Sequence, residues 1–182
     1  MGFNSTNVRF YSTWLAEKKH DRLKKGFQTS LSFYGIIGLL NALIMILVAL
    51  FASSIFNVTE EQNAVLQHLM YILAATAFCH WFSSCFDQLI KATENIAWLQ
   101  KRTLATKVLM IIVLADTVIF NLSIELYFAL TMLAQLAIVP MSISKIKQLT
   151  PFLSLIPKWD SQSFKEMLPY CMNIFSFSLF QF

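Results

Sequence analysis

Residues 31–56 read LSFYGIIGLLNALIMILVALFASSIF, twenty-six positions without an Asp, Glu, Lys or Arg. At about 1.5 Å of rise per residue, a helix of this length crosses the roughly 30 Å hydrocarbon layer of a bilayer with room to tilt. The rest of the chain has the same character: of 182 residues, 57% are hydrophobic and only 13% charged, a balance foreign to an ordinary soluble domain. With four glycines and four prolines, there is too little turn chemistry to punctuate many strands. The expected fold class is therefore all-α, a polytopic transmembrane helix bundle.

Working outward, residues 1–30 carry Arg9, Lys18, Lys19, Arg22, Lys24 and Lys25 among Phe3, Phe10, Tyr11, Trp14 and Leu15. This reads as an amphipathic surface connector, and it lacks the continuous apolar core of a cleavable signal peptide. After the span at 31–56 comes NVTEEQN at 57–63, where Thr59 followed by Glu60, Glu61 and Gln62 is placed to cap the next helix. A second span is expected at 64–90 and a basic connector at 91–103. Third and fourth spans at 104–120 and 124–141 are joined only by Asn121, Leu122 and Ser123, which dictates an antiparallel hairpin. A connector at 142–166 contains Pro151 and Pro157, which oppose one continuous helix. The apolar pattern resumes at 167 and is still running at 182, so the reading is four full spans plus the start of a truncated fifth.

Charge orients the set. The fourteen Lys and Arg fall in alternate connectors: six before the first span, four from Lys91 to Lys107 and four from Lys145 to Lys165, with none in 57–63 or 121–123. Basic residues are retained on the cytoplasmic side, so the N-terminal segment is expected in the cytoplasm. Distribution in short clusters between apolar runs, rather than on one face, argues against nucleic acid as the partner of this net charge of +4. Cys79, Cys85 and Cys171 lie inside apolar stretches and form no disulfide framework.

The second span is the most polar. Thr76, His80, Ser84, Asp87 and Lys91 recur at spacings of four, four, three and four, which puts them on one helical stripe. One reading is the wall of a hydrophilic pathway, since ionisable groups at membrane depth usually face a bundle interior or a water-filled cavity. The other is an Asp87–Lys91 pair at the interface, with His80 and the serines bonding neighbouring helices. Asp116 lies near the outer end of the third span, placed either to titrate and couple transport to cations or to reach interfacial water. Glu125, at the hairpin tip, is expected to be solvated. Gly38, Ala42, Ala49 and Ser53 form a small-residue packing face in the first span, and Pro140 marks a helix terminus. His68 and His80, like Cys79 and Cys85, are not spaced to converge on a metal. No phosphate loop or catalytic constellation is apparent, and the sequons at Asn4, Asn57 and Asn121 are short enough to arise by chance. No cofactor, metal, nucleic acid or enzymatic activity is expected.

The segment NVRFYSTWLAEKKHDRLKKGFQTSL at 7–31, the following span and acidic turn, and AWLQKRTLATKVLMIIVL at 97–114 together resemble polysaccharide flippases of the multidrug/oligosaccharidyl-lipid/polysaccharide exporter superfamily. The later IPKWDSQSFKEMLPYCMNIFSFSLF at 156–180 is similar to the link entering the seventh helix of such O-antigen and capsule transporters. The resemblance implies helices three to six of a larger two-lobe transporter, with the last run opening helix seven. It implies alternating access around a central cavity in the bacterial inner membrane, moving a lipid-linked oligosaccharide between leaflets together with the remainder of the transporter. Carried over, Arg9 matches a cationic position at the inner mouth of the cavity, where it would meet the lipid pyrophosphate; its plainer role is a positive-inside anchor. Lys91 and Lys107 are weaker matches of the same kind. The expected substrate-binding set is thus Arg9, His80, Ser84, Asp87 and Lys91, with Asp116 as a possible coupling group. The alternatives are a cation-coupled multidrug exporter of the same superfamily and a non-transporting membrane scaffold subunit.

Overall fold

The computed structural model describes residues 2–56 and 58–179; Asn57, in the expected outer turn, and residues 180–182, at the end of the expected fifth span, lie outside the described residues. The described chain is helical, with no strand. Its helices are α1 (Gly2–Ala16), α2 (His20–Leu50), the single turn α3 (Ala52–Ile55), α4 (Glu60–Ala92), α5 (Ile96–Ile119), α6 (Ile124–Leu136), α7 (Ile138–Leu149) and α8 (Ser161–Leu179).

The helices overrun the apolar stretches. α2 begins at His20 rather than Leu31 and stops at Leu50, and α4 and α5 leave only residues 93–95 between them. The reason lies in how these helices end. Lys18, Glu94 and Asn121 adopt φ of 55°, 60° and 49°. After each, the next N–H closes back on a carbonyl of the last turn: Lys19 to Trp14 at 2.9 Å, Asn95 to Ile90 at 3.3 Å and Leu122 to Thr117 at 3.0 Å. These are Schellman closures, which normally use glycine at the left-handed position. A lysine or glutamate side chain there costs about 1–2 kcal/mol, whereas asparagine is the common substitute for glycine at this position. At the start of α4, Thr59 N–H donates to Gln62 Oε1 at 3.2 Å and Gln62 N–H to Thr59 Oγ1 at 3.4 Å, the reciprocal capping box expected from the sequence.

Among the described residues, three helical stretches are long and apolar enough to cross a membrane: His20–Leu50, Gln62–Ala92 and Ile124–Leu149. The third comprises α6 and α7, interrupted at Ala137. Pro140 has no N–H to return to the Leu136 carbonyl, and the helix breaks there but resumes to Leu149, so this proline interrupts rather than ends it. α5 is 24 residues long but carries Lys101, Arg102, Lys107 and Asp116.

The chain forms two compact units. Of the described residues, unit 1 takes 2–35, 82–99 and 141–179, and unit 2 takes 36–56, 58–81 and 100–140. Unit 1 is built like a globular interior, with Tyr11, Leu23, Phe27, Leu31, Tyr34, Phe86, Leu89, Ile90, Ile146 and Met167 almost wholly buried. The Phe27 ring sits 6.1 Å from Tyr11 and 6.3 Å from Phe86, centroid to centroid. Gly26 has no alternative, because a Cβ there would lie 2.3 Å from the Trp14 ring.

Unit 2 is the inverse. Its fully buried hydrophobic residues are alanines, Ala49, Ala52, Ala74 and Ala134, whereas Leu43, Ile44, Leu47, Ile111, Leu114, Val118 and Leu133 are exposed, Val118 by 70%. Small residues inside and large apolar residues outside are the arrangement expected of helices whose solvent is lipid. Gly38 takes part in this: a Cβ there would come within 3.2–3.3 Å of Phe78 and Trp81. Ala42 lines a shallow apolar groove with Ala74, Ala75 and Phe78. Ser53 falls in α3, beyond the end of α2, and does not continue that face.

Candidate functional site

Two groups of polar residues in unit 1 are built on α1. Its sequence, rich in Gly, Asn, Ser and Thr, has weak helical propensity, so packing holds it. Gly2, Thr6, Asn7, Tyr11 and Trp14 form its buried stripe, while Arg9, Phe10 and Thr13 point elsewhere.

The first is a buried amide network. Asn7 Nδ2 donates to Gln88 Oε1, and Ser30 Oγ donates to Asn7 Oδ1 at 3.1 Å. Gln88 Nε2 reaches Asn4 Oδ1 and Tyr34 Oη, each at 2.9 Å, and Ser84 Oγ at 3.2 Å, while Tyr34 donates to Asn4. Asn7, Ser30, Tyr34 and Gln88 are buried, so these bonds replace water outright. They tie α1 to α2 and α4. Beside the network, the buried Tyr11 hydroxyl has Ser30 and Cys85 as neighbours but meets hydrogen-bonding geometry with none of the described residues. Burial, and then the neighbouring Cys85 thiol, push this phenol well above its ordinary value, so it stays neutral.

The second is a cleft of about 420 Å³ lined by Arg9, Phe10, Thr13, Trp14, Glu17, Lys19, Arg22, Glu166 and Tyr170. Arg9 lies over the Tyr170 ring at 4.4 Å and donates to its hydroxyl. Arg22 Nη1 meets Glu166 Oε2 at 2.8 Å, and Lys19 meets Glu17 at 2.8 Å. Three cations against two carboxylates, on aromatic walls, make a partly open cleft that favours an anion carried on an apolar body. No nucleophile is paired with a base in it.

α8 forms one side of this cleft. Asp160 caps its first turn, accepting from Ser163 Oγ at 2.6 Å and Ser163 N at 2.9 Å. The hydroxyl and then the backbone N–H hold the Asp160 carboxyl below its ordinary value.

Of the residues singled out by sequence, Arg9 lines the cleft and Ser84 joins the network, both in unit 1. Asp87 is half-buried and Lys91 exposed there, while Thr76 turns its hydroxyl back to the Ile72 carbonyl at 2.8 Å and His80 is exposed, both in unit 2. Asp116 is half-buried on α5. Glu125 is not simply solvated: its carboxylate meets His68 Nδ1 at 2.8 Å, joining α6 to α4. Asn7, Gln88, Tyr34, Glu166 and Tyr170 were missed. Gln88 had a signal, since it lies four residues after Ser84, inside an apolar run. The partners on α8 had none, because the contacts of Arg9 and Arg22 span 161 and 144 residues.

Among the described residues no cluster of His, Cys, Asp and Glu is placed to hold a metal ion. No protein-family model matches the chain, and no curated protein or solved structure is significantly similar to it.

Proposed function

We propose that the chain is the core of one lobe of a bacterial inner-membrane transporter that flips a lipid-linked oligosaccharide by alternating access. α2, α4, α5 and the α6–α7 pair are four spans and α8 opens a fifth, with α1 and the basic ends of the helices in the cytoplasm. The observation that carries the reading is the cationic, aromatic-walled cleft of Arg9, Lys19 and Arg22, suited to a diphosphate attached to a polyprenyl chain. The protein performs no chemistry on its substrate; binding and conformational change suffice, and the remainder of the transporter supplies the second lobe.

The test is native mass spectrometry of the protein extracted from cells that make polyprenyl-diphosphate oligosaccharides. A diphosphate glycolipid should co-purify with the wild type and be lost from R9Q/R22Q. Absence of glycolipid from the wild type, or equal retention by the variant, refutes the assignment. The second reading, a cation-coupled multidrug exporter, is favoured by half-buried Asp116 on α5; it predicts retention of a lipophilic cation that D116N abolishes.

A further inference from the structure

The two arginines of the cleft are already occupied, and both occupants belong to α8. Glu166 and Tyr170 are four residues apart and therefore share one helical face. Arg22, from α2, takes the Glu166 carboxylate, and Arg9, from α1, takes the Tyr170 ring and hydroxyl. Lys19 is different, being held by Glu17 across the local turn and not by α8. α8 also packs closely on α1 beside this face: the Cys171 carbonyl would stand 2.8 Å from a Cβ at Gly2, and the Cys171 thiol 3.4 Å.

We infer that α8 is a ligand-displaced latch: an anionic phosphate or diphosphate headgroup entering the cleft takes Arg9 and Arg22 from Tyr170 and Glu166 and so releases α8 from α1. The inference rests on the reading of the cleft as an anion site and adds what binding does. Glu166 is the stand-in for the ligand's charge, holding Arg22 while the cleft is empty of anion. The Arg22 and Glu166 side chains are 52% and 38% exposed, so their pair is weak, whereas a diphosphate bridging two guanidiniums makes several charge-assisted bonds. Linkage then works in both directions. Binding loosens α8, and loosening α8 tightens binding.

The experiment uses inorganic pyrophosphate as probe on the purified full chain in detergent. Affinity is read by calorimetry, and release of α8 by the rate at which N-ethylmaleimide alkylates Cys171, followed by mass spectrometry of its peptide. Pyrophosphate should raise the Cys171 rate in the wild type. E166Q should raise that rate without ligand and bind pyrophosphate about two- to fivefold tighter, the scale of an exposed ion pair. E17Q removes the same charge from the cleft and should leave the ligand-free Cys171 rate unchanged. R9Q and R22Q should weaken binding. Arginine-dependent binding with an unchanged Cys171 rate, or with no gain in E166Q, overturns the latch and leaves the anion site standing. Failure of pyrophosphate to bind, or binding indifferent to both arginines, overturns the latch and the anion site together.

Discussion

Asn7 and Gln88 are the residues on which unit 1 depends most locally, because each amide is buried and bonded on both sides. Truncating either strands the other's polar atoms, at about 1–3 kcal/mol. N7A and Q88A should therefore each lower the midpoint of thermal unfolding in detergent, and the double variant should lose less than the two together, since they share a bond. Tyr11 gives the opposite expectation. Its buried hydroxyl meets hydrogen-bonding geometry with none of the described residues, so Y11F should be neutral or slightly stabilising in the same assay. A Y11F protein as unstable as N7A would show that this hydroxyl is satisfied. Gly26→Ala drives a methyl into the Trp14 ring and should cost about 1–3 kcal/mol, which the unfolding midpoint reads directly.

At the scale of elements, α8 is set by its cap. D160A removes both bonds to Ser163 and should destabilise the first turn by about 1 kcal/mol, seen as faster amide exchange at the start of α8. The same cap predicts a pH dependence. The Asp160 carboxyl titrates lower when folded than when unfolded, so its contribution is complete above the unfolded value near pH 4. It is lost as pH falls through the lowered folded value. Protection of the amides at the start of α8, taken relative to their intrinsic exchange rate at each pH, should fall on acidification in the wild type but not in D160A. The capping box at Thr59 was legible because Thr and Gln stand at the required separation. Helix ends at Lys18 and Glu94 were not, because the left-handed turns carry long charged side chains where glycine would have announced them. Periodicity likewise found the apolar part of α2 but not its start, since His20 to Ser30 is polar in sequence and buried in part by α1.

For the whole molecule, the sequence made the apolar runs and the alternation of basic connectors plain, and Arg9 was put forward only through the family resemblance. The cleft could not, since it exists only once α8 comes back to α1 and α2 across most of the chain. The stripe on α4 was legible as a stripe but not as one site: its members have different surroundings, with Ser84 in the amide network and His80 exposed. The most charged of the four proposed spans is α5, with Lys101, Arg102, Lys107 and Asp116 in 24 residues. Its crossing decides the topology, because the hairpin turn at 120–123 is on the outer side only if α5 spans. The most direct measurement is labelling of E60C, L122C and S154C with a membrane-impermeant maleimide in intact cells. Four spans with α1 in the cytoplasm require E60C and L122C to react from outside, and S154C only after lysis; labelling of E60C and S154C, with L122C protected, would contradict the account.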